Sequence, residues 1–166
     1  MAHSNLPKVS FDLLGIYREI VPATISNAEL MPAYTETVTV DSNGTPTWAA
    51  SAVIVEVNIA KATREGTFDA AVEVLDHLQE MGVTCVCVTS VGEPGTKNDG
   101  SAGNHYCNLG LDSIDPALTG SDSYEEGWKK YAEFVEEAHA RNIRVLFNAV
   151  TWGTTSDSPL YTKHPD

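Results

Sequence analysis

The sequence predicts an α/β fold in which three short parallel strands alternate with two helices, in the order βαβαβ. Three observations support this prediction: three apolar runs of strand length, two stretches with one apolar helical stripe each, and start or stop signals around those stretches. A strand, a helix and a strand within about 40 residues are typical of a parallel βαβ unit. This order suits either a doubly wound sheet or the first part of a barrel.

The first 48 residues are predicted to form an appendage ahead of the main domain, which occupies residues 49–166. A weak helical stripe at Leu14, Tyr17 and Ile20 predicts at most one short helix, because Pro22 and Pro32 interrupt any longer element.

A small β-hairpin is predicted at the end of this appendage. Thr and Val alternate in residues 34–40, and the Asp-Ser-Asn-Gly sequence at residues 41–44 is a turn signal. Residues 45–48 are expected to form the second strand of the hairpin.

The first βαβ unit begins with the apolar run at residues 52–59, which is typical of a strand covered on both faces. Thr67 is suited to cap the following helix, and Gly82 is suited to end it in the left-handed conformation. Residues 83–88 are again short, β-branched and apolar, so they predict the second strand.

A polar, glycine-rich loop at residues 90–121 then separates the second strand from the second helix. Its length far exceeds the two to six residues that are common in such connections, and loops of this length are often functional. Ser123 and Glu126 form a capping box for the next helix. The third strand is predicted at residues 144–150.

Composition and charge exclude several classes of function. The chain has 166 residues, of which 42% are hydrophobic, and its net charge is −13. This charge opposes binding to nucleic acid, which needs clustered Lys and Arg. No apolar run approaches 18 residues, so no membrane span is expected and no leader is evident. A complete (β/α)8 barrel needs about 250 residues, so this chain is expected to supply fewer than half of its strands.

The three cysteines predict reduced thiols, because Cys85 and Cys87 are two residues apart on the same face of a strand and Cys107 has no partner. No second Cys or His pair at ligand spacing complements them, so neither a metal site nor a cofactor is expected.

Five segments in one order suggest a more specific assignment. They are residues 53–59 (Val-Ile-Val-Glu-Val-Asn-Ile), 64–68 (Arg-Glu-Gly-Thr-Phe), 78–84 (Leu-Gln-Glu-Met-Gly-Val-Thr), 105–116 (His-Tyr-Cys to Ile-Asp-Pro) and 138–145 (Ala-His-Ala-Arg-Asn-Ile-Arg-Val). Together they resemble the opening of the α-amylase family of glycoside hydrolases. The resemblance covers about residues 46–166 and implies the first three strands of a partial (β/α)8 TIM barrel, with the β-hairpin as an N-terminal appendage.

The end of the third strand resembles the first signature of that family, Asp-Val-Val-x-Asn-His, with its polar residues replaced. Asn148 stands at the position of the Asp, Trp152 at that of the Asn and Gly153 at that of the His. In the family the Asp orders active-site neighbours, the His binds a sugar hydroxyl and the Asn often ligates calcium. Trp152 offers no oxygen to calcium, a cation that takes oxygen ligands, so no calcium is expected there.

The resemblance also implies that catalysis is missing from this chain. The family cleaves glycosidic bonds with two carboxylates, which it carries on its fourth, fifth and seventh strands, beyond the three predicted here. No catalytic residue is therefore assigned. Tyr106 matches the family tyrosine that stacks on sugar, and Asn148 and Trp152 complete the candidate substrate-binding set. The alternatives are structural: Tyr106 packs the long loop, and Trp152 fills the space left by the lost polar groups.

Two hypotheses follow. The first is that the chain is part of an α-amylase-family protein of carbohydrate metabolism. In this hypothesis the protein is a degenerate pseudoenzyme that binds an α-glucan or maltooligosaccharide. The second is a non-enzymatic half-barrel module that binds glucan or a partner. In either case the open sheet edges are expected to meet the rest of a barrel or to cause self-association, because unpaired strands invite pairing. Neither nucleic acid nor membrane is expected as a partner.

Overall fold

The computed structural model describes residues 8–10, 37–97, 103–110, 113–150 and 153–163. The chain divides into two compact units, Met1–Ala52 and Val53–Asp166. Among the described residues, no helix has the length and apolar character needed to cross a bilayer.

The first unit contains a two-stranded antiparallel sheet and a turn. Strand β1 (Lys8–Ser10) pairs with strand β2 (Thr37–Thr39). After β2 the chain turns back on itself, and the Asp41 carboxylate accepts hydrogen bonds from the backbone N–H groups of Asn43 and Thr45 at 2.8 and 2.9 Å. The predicted turn at residues 41–44 is therefore present.

The second strand of the predicted hairpin is shorter than expected. Only one bridge forms across the turn, between Val40 and Pro46, and a 3-10 helix follows at Thr47–Ser51. Proline has no backbone N–H to donate, so Pro46 is a poor residue from which to extend a ladder. The short helix expected around Leu14, Tyr17 and Ile20 lies outside the described residues.

The second unit confirms the predicted βαβαβ order and adds three short helices. Its elements are β3 (Ile54–Val57), α1 (Ile59–Ala62), α2 (Phe68–Glu80), β4 (Cys85–Val88), α3 (Pro116–Thr119), α4 (Tyr124–Ala140), β5 (Arg144–Phe147) and α5 (Pro159–Lys163). The three strands form one parallel sheet in the order β3-β4-β5.

The ends of the two long helices follow the predicted signals. The hydroxyl of Thr67 accepts a hydrogen bond from the N–H of Ala70, and that of Ser123 accepts one from Glu126, both at 3.3 Å. Gly82 has a φ of +80°, the left-handed conformation that a glycine adopts without steric cost. Local sequence therefore determines where α2 and α4 begin and where α2 ends.

One face of the sheet packs on α2 and α4 to form the core. Val86 and Val88 of β4 have no exposed surface, and Phe68 of α2 and Phe134 of α4 are 1% exposed. The two phenylalanine rings lie 5.8 Å apart. Burial of each such side chain contributes about 1.5–3 kcal/mol relative to exposure.

On the opposite face the outer strands β3 and β5 are partly exposed, which corrects the prediction that the first strand is covered on both sides, while Cys85 of the central strand is fully buried. Ile54 of β3 is 51% exposed and Leu146 of β5 is 37% exposed. The register places Ile54 beside Cys85, and Leu146 beside Cys87, so these residues share one face. An apolar sequence pattern shows that a face can be buried, but it does not show whether other elements cover it. Three strands are too few to close around a barrel interior, so this face stays partly exposed.

Candidate functional site

The candidate site lies at the carboxyl end of β5, where Asn148 follows the last strand residue. Its backbone N–H donates to the carbonyl of Val88 at 3.0 Å, which continues the parallel ladder by one bond beyond the strand. Its side-chain amide donates to the hydroxyl of Tyr106 at 3.3 Å. Two of the three predicted site residues are therefore in contact, although 42 residues separate them in the chain.

Tyr106 is held by a turn within the long loop. Its backbone N–H donates to the side-chain oxygen of Asn104 at 3.0 Å, and the N–H of Cys107 donates to the carbonyl of Asn104 at 2.8 Å. The side chain of Tyr106 is 40% exposed. The backbone is fixed on both sides of the residue while part of the side chain faces solvent.

A second polar pair holds the same turn from the residue before Tyr106. The ring Nε2 of His105 lies 2.7 Å from the carboxylate of Asp115, and both side chains are mostly buried. The other oxygen of Asp115 accepts from the N–H of Ala117 at the start of α3. Burial alone would raise the pKa of Asp115, but the hydrogen bonds from His105 and Ala117 outweigh it and lower the pKa.

The long loop is folded back on itself. Backbone bridges join Gly92 to Ile114 and Pro94 to Asn108, and the N–H of Gly95 donates to the carbonyl of Cys107. A Cβ on Gly92 would lie within 2.9 Å of the Asn108 side chain, so a larger residue there would require that side chain to move.

The segment after β5 holds the long loop in place through hydrogen bonds. The carboxylate of Asp157 accepts from the backbone N–H and the hydroxyl of Thr96 at 2.8 and 2.9 Å. The hydroxyl of Ser158, which is fully buried, donates to the carbonyl of Leu109. These bonds connect residues about 50 to 60 positions apart and fix the path of the loop over this end of the sheet.

The remaining predicted site residue, Trp152, lies outside the described residues. Gly153, which follows it, is exposed and has nothing within 4 Å of the position of a Cβ. The contact between Tyr106 and Asn148 offers a half-exposed aromatic ring beside uncharged hydrogen-bonding groups. Such a surface is suited to hydrogen-bond and stack on a neutral polyhydroxyl compound, and the pair itself supplies no carboxylate for acid catalysis.

Sequence reasoning missed the contacts that organise this end of the sheet. The sequence pattern predicted neither the contact between His105 and Asp115 nor the capping of α3 by Asp115. The Asp-Pro sequence at residues 115–116 was an available signal, because an acceptor before a proline is typical of a helix start. The partner of Asp157 had no local signal.

The sequence is similar to those of two malto-oligosyltrehalose trehalohydrolases. It is 34% identical over 100 residues to a malto-oligosyltrehalose trehalohydrolase from Mycobacterium tuberculosis (strain CDC 1551 / Oshkosh), a match covering 60% of this chain and 15% of that protein. It is 27% identical over 135 residues to the enzyme of the same name from Saccharolobus solfataricus, a match covering 78% of this chain and 22% of that protein. The chain thus spans less than a quarter of the length of the curated relatives it matches. No protein-family model matches it.

The fold is similar to that of solved amylases. An α-amylase from Lactobacillus plantarum superposes with a TM-score of 0.60 at 21% identity, over 69% of this chain and 26% of that chain. At this identity the likeness concerns the fold. It confirms that the three-stranded parallel sheet with its helices is part of a (β/α)8 barrel.

Proposed function

Because this chain belongs to the α-amylase family of glycoside hydrolases, we propose that it binds a neutral α-glucan at the carboxyl end of its sheet without cleaving it. The observation that supports the proposal is the hydrogen bond between Asn148 and Tyr106, which holds an aromatic ring and an uncharged amide together at the carboxyl end of the sheet. The names of the relatives indicate malto-oligosyl compounds as the ligand class.

Stacking supplies the first part of the binding energy. The ring of Tyr106 is 40% exposed, and its backbone is fixed by Asn104, so little conformational freedom is lost when a sugar packs on it. An aromatic contact of this kind contributes about 1 kcal/mol. We propose Trp152 as a second aromatic contact, from its position four residues after Asn148.

Hydrogen bonding supplies the second part. The hydroxyl of Tyr106 accepts from the Asn148 amide, which leaves its own hydrogen available for a sugar oxygen. Asn148 carries no charge, so it is a suitable partner for a neutral hydroxyl but is no substitute for the acid of a working first signature.

The absence of cleavage rests on two points. The family breaks the glycosidic bond with a pair of carboxylates, and the three strands of this chain precede the strands on which the family carries them. Gly153 lacks the side chain with which the family binds a sugar hydroxyl at that position. The chain is therefore proposed to act as a binding element, in the manner of a pseudoenzyme.

Calorimetric titration of the 166-residue chain with maltoheptaose tests binding. We expect a millimolar Kd, and Tyr106→Ala is expected to weaken it about fivefold, the equivalent of about 1 kcal/mol. Tyr106→Phe keeps the ring and is the matched control, with a smaller loss than Tyr106→Ala. Equal affinity in the wild type and Tyr106→Ala would remove the stacking proposal, and reducing ends released from starch would remove the claim of no cleavage.

A second candidate is a module that associates through its open sheet. Val53, Ile54, Leu146 and Phe147 are large apolar side chains that are 37–51% exposed, and within the described residues β3 and β5 are both edge strands. Exposed apolar surface next to unpaired strands favours contact with another chain. Light scattering behind a sizing column distinguishes this candidate: a concentration-dependent mass supports it, and a monomer of 17.9 kDa at all concentrations contradicts it.

A further inference from the structure

Two cysteine side chains are neighbours on the face of the sheet opposite the helices. Cys85 and Cys87 are both free thiols, and they are two positions apart on the central strand β4. Side chains two positions apart on a strand share one face of the sheet. Cys85 is fully buried and Cys87 is half-buried. Neither thiol has a role in the sugar binding proposed above.

The flanking strands determine how the two thiols can be reached. In the register of the sheet, Ile54 of β3 and Arg144 of β5 lie on either side of Cys85. Leu146 of β5 is the neighbour of Cys87. Ile54 is 51% exposed and Leu146 is 37% exposed, so the residues around the two cysteines face solvent. A small ion can therefore reach Cys87 directly, and Cys85 is the next group along the strand.

The spacing of the two cysteines disfavours a disulfide between them. Residues two positions apart on an extended strand are separated by about 6.6 Å, and their Cβ atoms point the same way. A disulfide needs Cβ atoms about 3.8 Å apart. Forming one would require the backbone of β4 to bend, although β4 is hydrogen-bonded to a strand on each side. The two thiols are therefore held close together without being able to join each other readily.

The same spacing suits an ion that bonds to two sulfur atoms in a line. Side chains on a strand can lean along its direction, which brings the sulfur atoms to about 4–5 Å from each other. Two metal–sulfur bonds of about 2.3 Å in line span about 4.6 Å. Thiolates select soft ions such as monovalent copper, which accepts two ligands in a line.

A site with more ligands does not fit this surface. Among the described residues, no group of three or more His, Cys, Asp and Glu side chains could hold a metal ion. Zinc in structural sites takes four ligands, so the two thiols alone do not suit it. A two-coordinate ion needs no third ligand, and the exclusion of a larger metal site from the sequence does not apply to it.

Charge also favours a monovalent soft ion. Burial and the adjacent Cys87 raise the pKa of the Cys85 thiol, whereas the positive charge of Arg144 opposes them. The effects of Cys87 and Arg144 on Cys85 reflect how close the three groups are. Two thiolates and one monovalent ion make a complex with one negative charge, and the guanidinium of Arg144 supplies the opposite charge beside it.

We propose that Cys85 and Cys87 form a binding site for a soft, two-coordinate metal ion, with monovalent copper as the probe. The ion forms one bond to each sulfur, and the two thiol protons go to solvent. Copper stays monovalent throughout, so no oxidant or reductant takes part in binding. The proposal does not depend on sugar binding.

Competition with bicinchoninate, whose complex with monovalent copper is coloured, tests the proposal on the 166-residue chain. The chain is first reduced, and ascorbate under nitrogen keeps the copper monovalent. We expect the chain to withdraw one copper ion from the coloured complex. Cys85 is protonated at neutral pH because its pKa is raised above 9.0. Since it must lose that proton to bind, the apparent affinity is expected to rise at least about tenfold per pH unit between about pH 6 and 8.

Three alanine variants locate the ion. Cys85→Ala and Cys87→Ala each leave one thiol of the pair, so each is expected to lower the affinity at least about a hundredfold. Cys107→Ala removes the third cysteine, which lies in the long loop, and is the matched control with unchanged affinity. Circular dichroism of each variant verifies that it is folded.

X-ray absorption at the copper edge gives a measurement that needs no variant. Two sulfur neighbours and no nearby copper atom support the site. Three or more sulfur neighbours, or a second copper atom close by, overturn it, because the copper then joins several chains. Failure of the wild type to withdraw copper overturns it as well, and so does a loss of affinity in Cys107→Ala equal to that in Cys87→Ala. If Cys85→Ala fails to fold, Cys87→Ala and the absorption spectrum still decide the question.

Discussion

The two faces of the three-stranded sheet differ in what covers them. On one face, Val86 and Val88 pack under α2 and α4 and have no contact with solvent. On the other face, Ile54 and Leu146 expose 51% and 37% of their surface. The open face carries Glu56 and Arg144 beside its apolar residues, whereas the strand positions of the covered face are all apolar. The comparison shows that the apolar residues of a strand indicate which of its side chains can be buried. The elements that pack on the strand determine which of them are buried.

The long loop differs from both faces because polar contacts hold it. His105 binds Asp115, Thr96 binds Asp157, and Ser158 binds Leu109. Polar bonds are directional and their net contributions are modest, about 0.5–1.5 kcal/mol each for neutral groups. The loop is therefore expected to respond to single polar substitutions, while the covered face responds to changes in volume.

The largest expected effect compares the two faces directly. Phe134→Ala removes a ring that is 1% exposed and is expected to cost about 3–5 kcal/mol, because it leaves a cavity against Phe68. Ile54→Ala on the open face is expected to change stability by no more than about 0.5 kcal/mol. Urea unfolding followed by circular dichroism measures both. A cost above about 2 kcal/mol for Ile54→Ala would mean that another surface covers the open face in solution.

A smaller effect is expected in the loop, from Asp115→Asn. The change keeps an acceptor for Ala117 but weakens the contact with His105, at an expected cost of about 1–2 kcal/mol at neutral pH. The folded pKa of Asp115 is lowered, so its contribution is complete above the unfolded value of 3.8 and disappears as pH falls through the folded pKa.

Unfolding of the wild type and Asp115→Asn across acidic pH measures this dependence. The difference between the two proteins is expected to be constant above about pH 5 and to close only in strong acid. A difference that is the same at all pH values would show that the ionised carboxylate contributes nothing, and that the loop depends on packing as the covered face does.

Much of the second unit could be predicted from local sequence. Apolar runs predicted the three strands, and Thr67, Gly82 and Ser123 predicted helix ends at the observed positions. These features depend on residues within a few positions of each other, so they can be recognised in the sequence alone. The strands are nevertheless shorter than the apolar runs, because the backbone ladder ends before the apolar residues do.

The candidate site was less accessible to such reasoning. Tyr106 and Asn148 were predicted from resemblance, and their contact was not predicted, since the two residues are 42 positions apart and α3, α4 and β5 lie between them. The contacts of Asp157 with Thr96 and of Ser158 with Leu109 had no signal either. Contacts between residues that are far apart in the chain depend on three-dimensional packing, and single polar residues in a loop are ordinarily solvated.

A further comparison concerns the ends of the covering helices. Ser123→Ala removes the acceptor for the Glu126 N–H at the start of α4 and is expected to cost about 1 kcal/mol. Ser123→Asp keeps an acceptor there and is expected to retain most of the stability. Thermal unfolding of the two variants checks this. Equal losses would mean that packing of α4 on the sheet, and not the cap, determines where the helix begins.

The smallest expected effect is on the solvent side of α4. Lys129 lies 3.5 Å from Glu126 and 3.8 Å from Glu133, with half of its side chain exposed. Lys129→Gln is expected to cost less than about 0.5 kcal/mol, and added salt should reduce the difference further. Denaturant unfolding at low and high salt provides the measurement. A loss of stability comparable to that of Phe134→Ala would contradict the distinction between covered and open surfaces. The solvent side of α4 would then contribute as much to stability as the side that packs on the sheet.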